Sequence, residues 1–228
     1  RFIITMADAG ADIIEIGIPF SDPAADGPVI SRANVRAMQA GVNVHSTFEM
    51  LSRVRERTNI PLAFLLYANI IFSYGIERFF VRCAEIGIDG VIIGDVPIEE
   101  EGEFAPFAKA NGVEIIRMIA PTSLGRTERI CKDAGGFLYC VSSMGVTGVR
   151  SSVESNLTSM FEQIDRHCKV PTAIGFGVGT PEQAKAAAKF ANGVIVGSAI
   201  VKLIEQYAEQ ADRRLFDFVS SMRFALDN

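Results

Sequence analysis

The chain has 228 residues, of which 49% are hydrophobic and 20 are glycines, and its formal net charge is −5. This length and apolar content allow one α/β domain with a full core, and no linker interrupts residues 1–228. The acidic balance argues against a nucleic-acid partner, which would need a basic face. Small anions stay possible as ligands, because backbone amides can bind phosphate on an acidic protein.

The cysteines show no C-x-x-C spacing, and the chain has only two histidines, so neither a zinc site nor a His-based triad is expected. We predict no metal, reduced thiols and a cytoplasmic location. Residues 59–76 are uncharged, but Pro61, Asn69 and Gly75 interrupt this run. We interpret it as a buried strand that runs into a loop, not as a membrane span.

Apolar strand patterns alternate with amphipathic helix patterns along the whole chain. The predicted strands cover residues 13–18, 62–68, 90–95, 114–120, 137–142, 172–177 and 193–197. The first predicted helix ends at residue 10. Five more cover about 31–40, 46–57, 77–86, 99–111 and 125–134. A further helix ends near residue 168, and the last three begin near residues 181, 198 and 212. The helix from Ser46 is expected to start with a capping box formed with Glu49.

This alternation, at intervals of roughly 25 residues, indicates parallel βα units. Such units form either an open doubly wound sheet or a closed barrel. We favour a (β/α)8 TIM barrel, since no G-x-G-x-x-G follows the first strand, where a Rossmann fold would carry it. Only seven strands are predicted, so we expect the first strand of the barrel to be missing from this chain, ahead of residue 1.

The first predicted strand carries a carboxylate, Glu15, and runs into a loop with two more, Asp22 and Asp26. Its isoleucines favour a strand buried on both faces. Glu15 would then lie inside a core, where burial raises its pKa, so it is either satisfied structurally or kept for proton transfer. The two aspartates could also be ordinary turn formers in a loop stiffened by prolines.

Glycines cluster after the last two predicted strands. Residues 175–179 precede a helix with capping-box spacing from Thr180 and with Pro181 at its first position, and Gly197 and Ser198 open the next helix. In βα barrels phosphate commonly binds at this place, against helix N-termini. We therefore predict a phosphate site to which the amides of both helix starts point.

A loop rich in small residues follows Ser142. Its segment from Gly145 to Gly148 could close as a lid that excludes water, or it could be an ordinary surface loop. Tyr67 and Tyr139, on two predicted strands, could present hydroxyl groups to a site or be ordinary core residues. The sequence leaves both alternatives open.

The stretch EIGIPFSDPAADGP, which begins at Glu15, closely resembles the signature of the tryptophan synthase alpha subunit family, whose members cleave indole-3-glycerol phosphate. The resemblance covers essentially the whole chain. The further motifs YAN, DVPIEE, GVTG, GFGV and GSAIVK, which begin at residues 67, 95, 145, 175 and 197, occur in the family's order.

The resemblance implies a role for individual residues. Glu15 and Asp26 match the catalytic pair, and Tyr139 matches a tyrosine that hydrogen-bonds near the substrate. The family's phosphate contacts match Gly148, Gly177, Gly197 and Ser198, and its indole pocket matches Leu65, Ile92 and Phe176. The lid residue that contacts the catalytic Asp matches Thr147. The surface that faces the beta subunit matches Pro19 and Asp22.

The implied activity is that of a lyase of tryptophan biosynthesis, which releases indole and glyceraldehyde 3-phosphate by a retro-aldol reaction. No metal or organic cofactor is implied for this subunit, since pyridoxal phosphate belongs to the beta subunit of the heterotetramer of two alpha and two beta subunits. Two alternatives stay open: another barrel enzyme acting on a phosphosugar, and a catalytically silent barrel that regulates a partner. An assay for released indole would separate them.

Overall fold

The structure, a computed structural model, describes residues 1–24, 26–142, 150–175 and 177–228, with only the backbone described at residues 124 and 150–156. Thr147 and Gly148 of the predicted lid and phosphate site, and Phe176 of the predicted pocket, lie outside the described residues. The chain divides into two compact units, Arg1–Ile115 with Val201–Ser220, and Ile116–Ile200 with Ser221–Asn228.

The first unit contains a parallel four-stranded sheet in the order β1-β2-β3-β4. Its elements are α1 (Phe2–Asp8), β1 (Ile14–Gly17), α2 (Pro28–Gln39), α3 (Val44–Arg55), β2 (Leu62–Leu66), α4 (Ala68–Tyr74), α5 (Ile76–Ile86), β3 (Gly90–Ile93), α6 (Ala105–Ala110) and β4 (Glu114–Ile115).

One face of this sheet packs against the helices and forms the core of the unit. Ile14, Phe64 and Val91 contribute to this core from three neighbouring strands. Phe64 contacts Phe48 of α3 and Phe79 of α5, with ring centroids 5.5 and 5.9 Å away. Because side chains alternate along a strand, residues one position away from these face the opposite side of the sheet.

The second unit contains the other parallel sheet, in the order β5-β6-β7-β8. Its elements are β5 (Met118–Ile119), α7 (Thr127–Cys131), β6 (Leu138–Val141), α8 (Arg150–His167), β7 (Thr172–Gly175), α9 (Pro181–Ala187) and β8 (Gly193–Val194). Two further helices, α10 (Ser198–Tyr207) and α11 (Ala211–Asp227), contribute residues to both units.

The predicted strand at residues 114–120 is two strands, so the described residues hold eight strands where seven were predicted. β4 pairs with β3, whereas β5 pairs with β6, so the ladder partner changes at Ile116 and Arg117. The side chain of Arg117 donates hydrogen bonds to the carbonyl oxygens of Ile130 and Lys132 at the end of α7. The local sequence, in which one arginine lies between two apolar pairs, does not show which strands will pair with each half.

Two other predictions were wrong in detail. The capping box of α3 is formed by Asn43 and Ser46, and not by Ser46 and Glu49. The uncharged run at residues 59–76 holds β2 and the helix α4 where a loop was predicted after the strand. The side chain of Asp95 accepts a hydrogen bond at 2.8 Å from the backbone N–H of Ala68, the first residue of α4.

In the part of the chain that the structure describes, no helix is long and apolar enough to cross a membrane.

Candidate active site

β1 places Glu15 on the sheet face opposite the helix-packed core, because Ile14 and Ile18 lie in that core. Glu15 is in register with Ala63 on β2, and Ala63 is in register with Gly90 on β3. A residue with a small side chain therefore lies beside Glu15 on the neighbouring strand, and a glycine lies at the same level on the strand after it. They leave room at this position that larger side chains would occupy.

Leu65 and Ile92, predicted to line an apolar pocket, lie on the same face, two residues further along their strands. Leu65 is in register with Gly17 on one side and with Ile92 on the other. A Cβ added at Gly17 would meet no heavy atom within 4 Å. The structure thus brings Glu15 and two predicted pocket residues onto one face beside open space.

Burial raises the pKa of Glu15 from 4.5 to about 7. Among the described residues, no hydrogen bond or ion pair reaches its carboxyl group. The raised pKa therefore comes from removal of water and not from a negatively charged neighbour. A carboxyl group of this kind can both give and take a proton near neutral pH.

Asp26 lies in the loop after β1, where the side-chain amide of Asn34 on α2 donates a hydrogen bond to its Oδ2 atom at 3.0 Å. The Ser31 hydroxyl donates to the carbonyl oxygens of Asp26 and Gly27, at 3.4 and 3.1 Å. α2 begins at Pro28, three residues before the predicted start, with Gly27 as its N-cap, so Asp26 lies two residues before the first residue of the helix. The sequence analysis missed Asn34, whose place in the second turn after a loop carboxylate is the signal that could have found it.

The loop between Glu15 and Asp26 is also held by an aromatic contact. The Phe20 ring stacks on the ring of Tyr67, with centroids 5.2 Å apart. Tyr67 is buried. Pro19 is half-buried, and Asp22 is exposed and accepts a hydrogen bond from the Ser21 hydroxyl at 2.5 Å. Asp22 therefore lies on a part of the loop that a second protein can reach.

In the second unit, Tyr139 is buried on β6 and its ring lies over Gly175 of β7. A Cβ added at Gly175 would lie 2.6 Å from the Tyr139 hydroxyl oxygen and 2.9 Å from two ring carbons. Real Cβ atoms do not approach other atoms this closely. Gly175 was predicted as part of the phosphate loop, and the structure gives it a different role, which is to make room for Tyr139.

The prediction that both helix starts offer free amides to phosphate was wrong for α9. The Gln183 side chain accepts hydrogen bonds from the N–H groups of Gly179 and Thr180, at 2.8 and 3.2 Å, and Thr180 caps the N–H of Gln183. The N–H of Glu182 and the hydroxyl of Thr180 donate to the Glu182 carboxylate and lower its pKa. The helix thus satisfies its own first turn, and a carboxylate already lies there.

The start of α10 fits an anion better. Gly197 and Ser198 are exposed at its first turn, and a Cβ on Gly179 would lie 3.8 Å from the Cβ of Ala199. The loop after β7 therefore adjoins the first turn of α10. Gly177 in that loop has a φ of +82°, which side chains rarely adopt, so glycine is required there.

A shallow cavity in the second unit lies at the opposite end of β7, where Cys168, Thr172 and Asn192 line it. No predicted site residue is among its lining residues. Among the described residues, no group of three or more His, Cys, Asp or Glu side chains is placed to hold a metal ion.

The pKa of Glu15 predicts a dependence of stability on pH. Between pH 4.5 and about 7 the folded chain keeps a proton on Glu15 that the unfolded chain has lost. The contribution of this group is therefore complete below pH 4.5 and is lost as the pH rises through 7. Glu15→Gln cannot ionise. We therefore expect its free energy of unfolding to rise by about 3 kcal/mol relative to that of the wild type between pH 4.5 and about 8. Urea unfolding across this range measures the gain, with exposed Glu49→Gln as the control, and a difference that does not vary with pH would contradict the assignment.

The contact between Gly175 and Tyr139 predicts that Gly175→Ala destabilises the chain by about 1–3 kcal/mol through overpacking. At Gly193, on the neighbouring strand, an added Cβ would lie 3.7 Å from Ala173, which is an ordinary contact. Gly193→Ala should therefore cost less than about 1 kcal/mol. Chemical denaturation of both variants compares them, and equal losses would show that Tyr139 does not set the limit.

A family model described as tryptophan synthase alpha chain matches residues 1–226. The tryptophan synthase alpha chain of Lacticaseibacillus casei is 46% identical over 225 residues, which cover 99% of this chain and 85% of that protein. The crystal structure of tryptophan synthase subunit alpha from Legionella pneumophila str. Paris covers 100% of this chain and 86% of its own, at 34% identity and a TM-score of 0.90. A chain from the tryptophan synthase a2b2 complex of Pyrococcus furiosus covers 98% of this chain and 90% of its own, at 31% identity and a TM-score of 0.88.

These similarities confirm the (β/α)8 barrel fold class, since the solved structures match the described strands and helices over nearly the whole chain. They also agree with the sequence motifs from Glu15 to Lys202. Because the family model spans residues 1–226 and a relative is 46% identical across 99% of the chain, this chain belongs to the tryptophan synthase alpha chain family.

Proposed function

We propose that the chain is a lyase that cleaves indole-3-glycerol phosphate to indole and glyceraldehyde 3-phosphate in tryptophan biosynthesis. The observation that carries the proposal is Glu15, a carboxyl group with a pKa of about 7 on a sheet face with open space beside it. A silent regulatory barrel would have no use for such a group. Membership of the family supports the choice of substrate.

The reaction needs two proton transfers, and both take place at Glu15. Glu15 gives its proton to C3 of the indole ring, which leaves the ring nitrogen positively charged. Glu15 then takes the proton of the hydroxyl group on the adjoining side-chain carbon. The bond between C3 and that carbon breaks, its electron pair returns to the ring, and the carbon becomes the aldehyde. Glu15 ends in its starting state, and a pKa near neutrality suits both steps.

Asp26 supplies the second function, which is to stabilise the positive ring nitrogen. Asp26 lies two residues before the first residue of α2, and its carboxylate accepts the hydrogen bond from Asn34. A carboxylate held near the place where positive charge develops stabilises the transition state more than the ground state. This electrostatic role requires no proton transfer by Asp26.

The remaining site residues serve binding. Leu65 and Ile92 contact the indole ring from the apolar row beside Gly17, and Tyr139 donates a hydrogen bond near the substrate. Gly177, Gly197 and Ser198 bind the phosphate group with the first turn of α10, where the exposed helix start favours an anion. Phe176, Gly148 and Thr147 keep the pocket, phosphate and lid roles that the family resemblance implies.

We further propose that the chain works with a beta subunit and needs no cofactor of its own, because the reaction consists of proton transfers and one bond cleavage. Pyridoxal phosphate would belong to the beta subunit. The partner proposal is supported by the similar chain in the a2b2 complex of Pyrococcus furiosus. Pro19 and Asp22 would face this partner, and a cytoplasmic location stays a prediction.

Two substitutions test the mechanism through release of free indole. Glu15→Gln keeps the shape of the side chain but removes the proton donor, so we expect the rate to fall by about 10⁴-fold or more. Asp26→Asn removes a charge, so we expect a fall of about 10²–10³-fold. Glu49→Gln, at an exposed position of α3, serves as the control and should leave the rate unchanged. The assigned roles would be refuted if Glu15→Gln released indole at the wild-type rate. They would also be refuted if Asp26→Asn released indole more slowly than Glu15→Gln.

Asp22→Ala tests the partner surface. Asp22 is exposed and shares a proline-stiffened loop with Asp26, so a contact there can be felt at the catalytic carboxylate. We expect the ratio of rates with and without saturating beta subunit to fall severalfold, compared with Asp8→Ala on α1 as a control. If Asp22 only holds the turn, both rates fall together and the ratio stays constant.

A further inference from the structure

Asn34 is the described residue whose side chain touches the Asp26 carboxylate. Its amide nitrogen donates to Oδ2 at 3.0 Å, in a partly buried position. Among the described residues, the hydrogen bond to this carboxylate engages Oδ2 and not Oδ1. A hydrogen bond to a charged acceptor is among the stronger ones in proteins.

The orientation of a carboxylate decides whether it can stabilise a charge at a defined place. The terminal torsion of an Asp side chain is broad, so a carboxylate without a partner samples many orientations. A donor on Oδ2 removes this freedom before the substrate arrives. Such preorganisation lowers the barrier because no reorientation is needed when charge develops.

The helix that carries Asn34 is itself held in place. Arg32 donates a hydrogen bond to each carboxylate oxygen of Glu205 on α10, at 3.0 and 3.1 Å. Arg36 donates a third to the same carboxylate, at 2.7 Å. Arg32 and Arg36 are four residues apart and share one side of α2, whereas Asn34 lies two residues from each, on the other side. The helix is therefore braced on one side while it presents the amide to Asp26 on the other.

We propose that Asn34 is a positioning residue for the lyase reaction, which fixes the Asp26 carboxylate so that Oδ1 points to the N–H of the indole ring. This inference rests on the proposed function, because it assumes that Asp26 stabilises the ring nitrogen. Asn34 itself exchanges no proton with the substrate. Its effect therefore exists only while a carboxylate is present at position 26.

The experiment is a double-mutant cycle on the full chain, read as release of indole. Asn34→Leu removes the donor at similar size, and we expect kcat to fall about tenfold while KM changes less than about twofold. In an Asp26→Ala background, where no carboxylate remains to be oriented, the same substitution should change kcat less than about twofold. Gln39→Leu, an amide lost from an exposed position of α2, is the matched control and should leave both constants unchanged.

Asn34→Asp separates positioning from packing. It keeps the shape of the side chain but replaces the donor with a second carboxylate, so we expect a loss of kcat at least as large as that of Asn34→Leu. If Asn34 only packs, Asn34→Asp retains the wild-type kcat, and this result would overturn the proposal. Equal losses from Asn34→Leu in both backgrounds would overturn it as well. If Asp26→Ala alone does not slow indole release, the role of Asp26 in the proposed function fails instead.

Discussion

The register of β1 is the constraint on which the candidate site depends. Ile14 and Ile18 lie in the helix-packed core, and alternation along the strand then directs Glu15 to the opposite face. A slip of one residue would exchange the faces, placing the carboxyl group among the helices and isoleucines in the site. The apolar contacts that stabilise the sheet are thus the same contacts that hold an acid with a pKa of about 7 in its place.

Small residues determine where the site has room. Ala63 is the register neighbour of Glu15, Gly90 is the register neighbour of Ala63, and Gly17 follows Glu15 on the same face. Leu65 and Ile92 then add apolar surface one step further along the strands. The second carboxylate, Asp26, is positioned differently. It lies in a loop and is hydrogen-bonded by a residue of a helix, whereas Glu15 lies on a strand. Its contact with Asn34 depends on where α2 begins, and Pro28 at the first helical position sets that start.

The sequence predicted the βα alternation and the barrel class correctly, because these follow from local periodicity. The prediction that β1 is buried on both faces was wrong, since Glu15 is only partly buried and Gly17 is exposed. The sequence also predicted the Thr180 capping box, whose partners are three residues apart. It failed where the partner is distant or where two local patterns compete. The change of ladder partner at Ile116 and Arg117 depends on other strands. On α3 two capping boxes were compatible with the sequence, and the one formed by Asn43 and Ser46 is present, not the one from Ser46 to Glu49. The capping box that identified α9 also removed its amides from the phosphate site, which only the structure makes visible.

The ring of Tyr139 over Gly175 has a consequence for how this chain can diverge. Any side chain at position 175 requires a smaller residue at position 139, so the two positions cannot drift independently. An alanine at 175 destabilises the chain less after the tyrosine has been lost, and a regained tyrosine then meets an occupied space. Substitution at position 139 should therefore precede substitution at position 175, and the two positions on neighbouring strands are expected to change together.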